Sequence, residues 1–116
     1  MHLTIDVARR GGHTVLSPHG DIDFASAAQL TEAVTETLLA GEIHVVVDLL
    51  GVEFVESTGL GALIGGRRRA LALNGSFALV CDQDHLLKIF QVTGLDKVFT
   101  MHRTVEQATA QEPTPG

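Results

Sequence analysis

Ser57 and Thr58 are the residues in this chain best placed to do chemistry. They stand together in the window Phe54-Val55-Glu56-Ser57-Thr58-Gly59-Leu60-Gly61. Upstream, Val45-Val46-Val47 is a β-branched run that predicts a strand buried inside a sheet. Downstream, Leu60, Leu63, Ile64 and Leu71 recur at helical spacing. The two hydroxyls therefore fall at a helix N-terminus, where unpaired N–H groups and the positive end of the dipole welcome oxygens and anions. A hydroxyl there can cap the helix, attack as a nucleophile, or accept a phosphate.

Nucleophilic catalysis fits poorly. The nucleophile elbow needs Gly-x-Ser-x-Gly, and Val55-Glu56-Ser57-Thr58-Gly59 has only the second glycine. A base would have to come from His2, His13, His19, His44, His85 or His102, and nothing in their spacing prefers one. Phosphate cradles fit no better. Gly59, Gly61, Gly65 and Gly66 miss the dinucleotide fingerprint by one residue, and Arg67-Arg68 stands where the Walker pattern needs Lys and a hydroxyl. No two histidines lie three to five residues apart and Cys81 has no neighbouring ligand, so no metal or cofactor is expected. Arg67-Arg68-Arg69 turns through successive helix faces, which reads as a solvated surface with Arg67 lying along the apolar stripe. The glycines need a cause, since each costs about 1 kcal/mol against alanine inside a helix. Close helix–sheet packing and a smooth surface for a partner account for them equally well.

Composition narrows the partners. A net charge of −6 argues against nucleic acid and anionic membrane. No apolar run reaches transmembrane length, and the N-terminus lacks the pattern of a signal peptide. A single cysteine permits no internal disulfide and fits a reducing cytoplasm.

The elements that position the hydroxyls follow from local pattern. Leu3, Ile5 and Val7 alternate as a strand, Arg9-Arg10-Gly11-Gly12 turns, and His13 to His19 returns as a hairpin. Gly20-Asp21-Ile22-Asp23 breaks that strand, and Asp23 caps a helix from Phe24 to about Ala40, ended by Gly41. A strand at Ile43–Asp48 and a connector lead to the helix from Ser57 to about Leu73. Next come a strand at Ser76–Cys81, a helix capped by Asp84, a short strand at Val98–His102 and a helix at Thr104–Ala110. The order β-β-α-β-α-β-α-β-α predicts one α/β domain over residues 1–110, a mixed sheet with helices packed against it. Residues 111–116, with Pro113 and Pro115, are expected to be a disordered tail.

Three segments together resemble the bacterial anti-sigma factor antagonists, within the STAS domain family. Gly20-Asp21-Ile22-Asp23 is similar to the family's turn before its first helix. Phe54 to Gly61 is similar to its aromatic-x-Asp-Ser-[Ser/Thr]-Gly-Leu-Gly signature, with Glu56 in place of the aspartate. Phe90-Gln91-Val92-Thr93-Gly94-Leu95 resembles its later Phe-x-x-Thr-Gly-Leu segment. The resemblance implies a non-enzymatic regulator, monomeric when free. It implies an anti-sigma factor partner that is a serine kinase of the histidine-kinase-like ATPase fold, and a serine phosphatase that reverses it. It also implies Ser57 as the phosphorylated residue, with Thr58 its neighbour. Asp21, Asp23, Glu56, Ser57, Thr58, Gly59, Leu60 and Gly61 become the expected partner-binding residues. The alternatives are a STAS module of another partner-switching or sensory complex in which Ser57 is only a cap, and a small-ligand or nucleotide-binding domain.

Overall fold

The computed structural model describes residues 3–116. Thr4–Arg10 (β1) and His13–Ile22 (β2) form an antiparallel hairpin. Its two-residue turn, Gly11-Gly12, needs positive φ at both positions, and the glycines sit at 60° and 84°. Phe24–Leu39 (α1), His44–Asp48 (β3), Val52–Val55 (β4), Ser57–Ala72 (α2) and Ser76–Val80 (β5) follow. Asp84–Val92 (α3), one 3-10 turn at Leu95–Lys97, Thr100–His102 (β6) and Val105–Ala108 (α4) complete the chain.

The sheet order is β1-β2-β3-β5-β6, antiparallel only at the hairpin. β2 changes partner along its length. Thr14–Leu16 pair with β3, while Gly20 and Ile22 pair in parallel with β4. Successive strand residues face opposite sides, so Val45 and Val47 enter the main core and Val46 a second, smaller one. The main core holds Leu30 and Val34 of α1, Leu63 of α2, and Leu86 and Phe90 of α3. The smaller core holds Val15, Val46 and Val80 beneath Ala108 of α4. Three helices thus cover one face and a single short helix the other. Beside α4 lies a cleft of about 410 Å³, bordered by His13, Ser76, Thr100, His102, Gln107 and the 110–116 segment.

The α/β class and the mixed sheet are as expected, with three local corrections. The connector before Ser57 contains a strand, β4. It has four residues with only the outer two buried, so neither strand alternation nor a continuous apolar run marks it. Gly20-Asp21-Ile22 does not break β2 but extends it, because β4 supplies a second partner there. Finally, α3 is N-capped by Gln83, not Asp84, and the Gln83 side chain makes no cap bond.

Candidate functional site

The sequence sets Asp21-Ile22-Asp23 and Glu56-Ser57-Thr58 more than thirty residues apart, and the fold joins them. Ile22 pairs with Val55, and the Glu56 N–H donates to the Ile22 carbonyl at 2.9 Å. Both motifs therefore meet at the end of β2, where α1 and α2 begin.

Each member then has a distinct task. The Asp23 carboxylate accepts from the Ser26 N–H at 2.9 Å, and the Ser26 hydroxyl accepts from the Asp23 N–H at 2.9 Å. This capping box closes the start of α1. The bond from Ser26 holds the Asp23 carboxyl below the usual carboxylate range. The Ser26 hydroxyl also donates to the Asp21 carbonyl at 2.8 Å, fixing the turn. Asp21 is half-buried.

At α2, Glu56 is the N-cap residue and makes no side-chain cap bond. Ser57 is the first helical residue, exposed like Thr58. No hydrogen bond is made by either hydroxyl among the described residues. The first helical bond runs from Leu60 N–H to Glu56 O at 3.0 Å, so the N–H groups of Ser57, Thr58 and Gly59 have no helical acceptor.

The glycines separate by position. A Cβ on Gly59 would sit 2.6 Å from Ile22 Cγ2 and 3.0 Å from the Ile22 carbonyl oxygen. A Cβ on Gly66 would press on Phe77 and Val34 at 3.1 to 3.3 Å. These two let α2 lie close against the sheet and α1. A Cβ on Gly61 would meet nothing within 4 Å, so packing gives no reason for glycine there. Leu60 is buried in the main core and anchors the first turn.

Two exposed aromatics, which composition alone did not single out, lie beside these residues. Phe24, the first residue of α1, is 79 % exposed and Phe54 of β4 is 48 % exposed. Their signal was position: each adjoins a motif already recognised. Asp21, Asp23, Glu53 and Glu56 gather at this end, and none is in an ion pair among the described residues. The third motif does not join them. Phe90 packs edge-on against Phe99 at 6.0 Å in the core, and the Thr93 hydroxyl donates to the Ile89 carbonyl at 2.7 Å.

No cluster of three metal-ligating side chains exists among the described residues, and none of their helices is long and apolar enough to cross a membrane. Cys81 is buried, which pushes its thiol pKa up. Of the histidines, His19 pairs with exposed Asp6, His44 with the Ser76 hydroxyl and His85 with the Glu53 carbonyl. His2 lies outside the described residues.

The model of the STAS domain matches residues 4–108. An anti-sigma-F factor antagonist of Mycobacterium tuberculosis is 32 % identical over 91 % of this chain and 86 % of its own length. The crystal structure of an anti-sigma factor antagonist from Mycobacterium paratuberculosis superposes with a TM-score of 0.82 at 28 % identity, covering 93 % of this chain and 92 % of that one. A Bacillus cell fate determinant, SpoIIAA, solved in its phosphorylated form, shares the fold with a TM-score of 0.69 at 21 % identity, over 93 % of this chain and 96 % of that one. Since one family model spans every element from β1 to α4, and a relative 32 % identical aligns over 91 % of the chain, this chain belongs to the STAS domain family.

Proposed function

We propose that the protein is an anti-sigma factor antagonist, a regulator and not an enzyme, switched by phosphorylation of Ser57. The observation that carries this reading is the Ser57 hydroxyl, exposed at the first position of α2 and without a hydrogen-bond partner among the described residues. The names of the relatives support the antagonist role, and the phosphorylated form of SpoIIAA is a precedent for modification within the fold. Unphosphorylated, the protein binds an anti-sigma factor and so frees a sigma factor in the bacterial cytoplasm. The anti-sigma factor is a serine kinase of the ATPase fold. The Ser57 oxygen attacks the γ-phosphorus of ATP, the bond to the ADP oxygen breaks, and the hydroxyl proton leaves to a base on the kinase. A serine phosphatase restores the hydroxyl.

The electrostatics of the site support a switch. A phosphate adds roughly −1.5 to −2 of charge. The free N–H groups of Ser57, Thr58 and Gly59 and the dipole of α2 accommodate it within the domain. The docking face is another matter. It already carries Asp21, Glu53 and Glu56, and a desolvated phosphate there opposes association. Phe24 and Phe54 supply the apolar anchors of that face, and Gly61 lets the partner approach the helix closely.

The test is partner capture from extract of the source bacterium, with wild type and Ser57→Asp as baits. Retention of an ATPase-fold kinase by wild type, its loss on Ser57→Asp, and an 80 Da mass gain with ATP mapped to Ser57 are expected. Equal retention by two folded baits, or no gain at Ser57, contradicts the reading.

A small-ligand reading has one observation in its favour, the 410 Å³ cleft beside α4. His13 there is 7 % exposed and its Nδ1 has no partner among the described residues. That cleft opens on the sheet face opposite the α2 packing layer.

A further inference from the structure

The strand that leads to Ser57 is four residues long. β4 pairs with β2 at Gly20↔Val52 and Ile22↔Val55, with an irregularity between them. The turn Leu49–Gly51 lies just before it. Backbone bonds hold this turn at both ends, from the Gly20 N–H to the Gly51 carbonyl at 3.2 Å and from the Leu49 N–H to the Val80 carbonyl at 2.8 Å, and one side chain from the β5–α3 connection braces its carbonyls. Gln83 Nε2 donates to the Leu49 carbonyl at 2.8 Å and to the Val52 carbonyl at 2.7 Å, with the Leu50 carbonyl at 3.4 Å. Both amide hydrogens are thereby used in short bonds. Gln83 Oε1 accepts from the Asp82 N–H at 3.0 Å and lies 3.6 Å from the Cys81 thiol. The donor end thus faces carbonyls and the acceptor end faces donors, so only one orientation of the amide fits. Two positions on, His85 Nε2 meets the Glu53 carbonyl at 2.5 Å.

We propose that Gln83 is the positioning residue of the Ser57 acceptor. Its carboxamide holds the Leu49–Val52 turn and hence the register of β4, so that the hydroxyl two residues beyond β4 is presented in one place. This rests on the reading of Ser57 as acceptor. Glutamate at position 83 sets a charged oxygen against two carbonyls, and asparagine is one methylene too short to reach both. A misplacement of about 1 Å is enough to lower phosphoryl transfer on the order of 100-fold.

The experiment uses the kinase recovered on wild-type bait, with ATP, on wild type, Gln83→Glu and Gln83→Asn. Expected is a fall in kcat of at least about tenfold for both variants, with KM changed less than about threefold. Amide exchange on the isolated proteins should quicken at Val52 and Glu56 while Val46 and Leu79 stay protected. Wild-type kcat in both variants overturns the proposal. So does a loss of protection at Val46 and Leu79 equal to that at Val52, which reduces Gln83 to a general stabiliser. A wild type that gains no phosphate at Ser57 removes the acceptor reading itself, an outcome distinct from either.

Discussion

The Glu56 N–H and the Ile22 carbonyl are joined by a 2.9 Å hydrogen bond. It ties the start of α2 to the last residue of β2, directly before the capped start of α1. Two helix N-termini are thereby fixed side by side. Gly59 makes this approach possible, because any Cβ there collides with Ile22. Gly59→Ala should therefore destabilise the domain, by about 1–3 kcal/mol as overpacking does, despite alanine's better helix propensity. Urea unfolding gives the number, and an unchanged midpoint contradicts the close approach.

Gly61 should behave in the opposite way. No described residue comes within 4 Å of its missing Cβ, so Gly61→Ala should stabilise by about 0.4–1 kcal/mol. If a partner's backbone lies on that spot, the same change weakens binding. Thermal unfolding and calorimetry on one preparation separate the two effects, and tighter binding by the variant argues against contact at Gly61.

Ser57→Ala should leave stability within about 0.5 kcal/mol, since the hydroxyl is exposed and makes no hydrogen bond among the described residues. Glu56→Asp should raise it by roughly 0.5–1 kcal/mol, because a shorter carboxylate reaches the free N–H groups of the first turn from the N-cap. A loss near 1 kcal/mol for Ser57→Ala returns that residue to the role of a cap.

Phe54→Ser should scarcely alter folding and should weaken partner binding by about 2 kcal/mol or more, as truncation of an aromatic anchor does. Binding within error of wild type moves the docking surface elsewhere.

Asp23 contributes a pH-dependent part of the stability at this site. Its carboxyl is held low by the Ser26 N–H, so its folded pKa lies below its unfolded one. Such a group contributes stability above the unfolded pKa and loses it as pH falls through the folded value. The Ser26 amide shift, followed by NMR through acid, should titrate below the ordinary aspartate value of about 3.9. A midpoint at or above that value shows the capping bond to be absent.

What could be read in advance was whatever has a local period or a local cap. Leu60, Leu63 and Ile64 placed α2, and Asp23 placed α1, because apolar spacing and capping chemistry operate within a few residues. β4 escaped because its pairing exists only when Gly20–Ile22 arrive from thirty residues earlier. Gln83 escaped for a similar reason. A side chain that satisfies carbonyls about thirty residues upstream has no signature in its own neighbourhood. The exposure of Phe54 was hidden by its type, since a phenylalanine on a strand ordinarily reads as core.

The division between inward and outward residues along β4 and the first turn of α2 has an evolutionary consequence. Val52, Val55, Gly59 and Leu60 carry the packing, while Glu53, Phe54, Ser57, Thr58 and Gly61 carry almost none. Substitutions in the second group are close to neutral for folding, so all of them except Ser57, which the proposed switch requires, are free to diverge after gene duplication. If Glu53, Phe54, Thr58 and Gly61 form the docking face, copies of such a domain can be insulated from one another by rewriting four surface positions while each keeps Ser57 and the same scaffold.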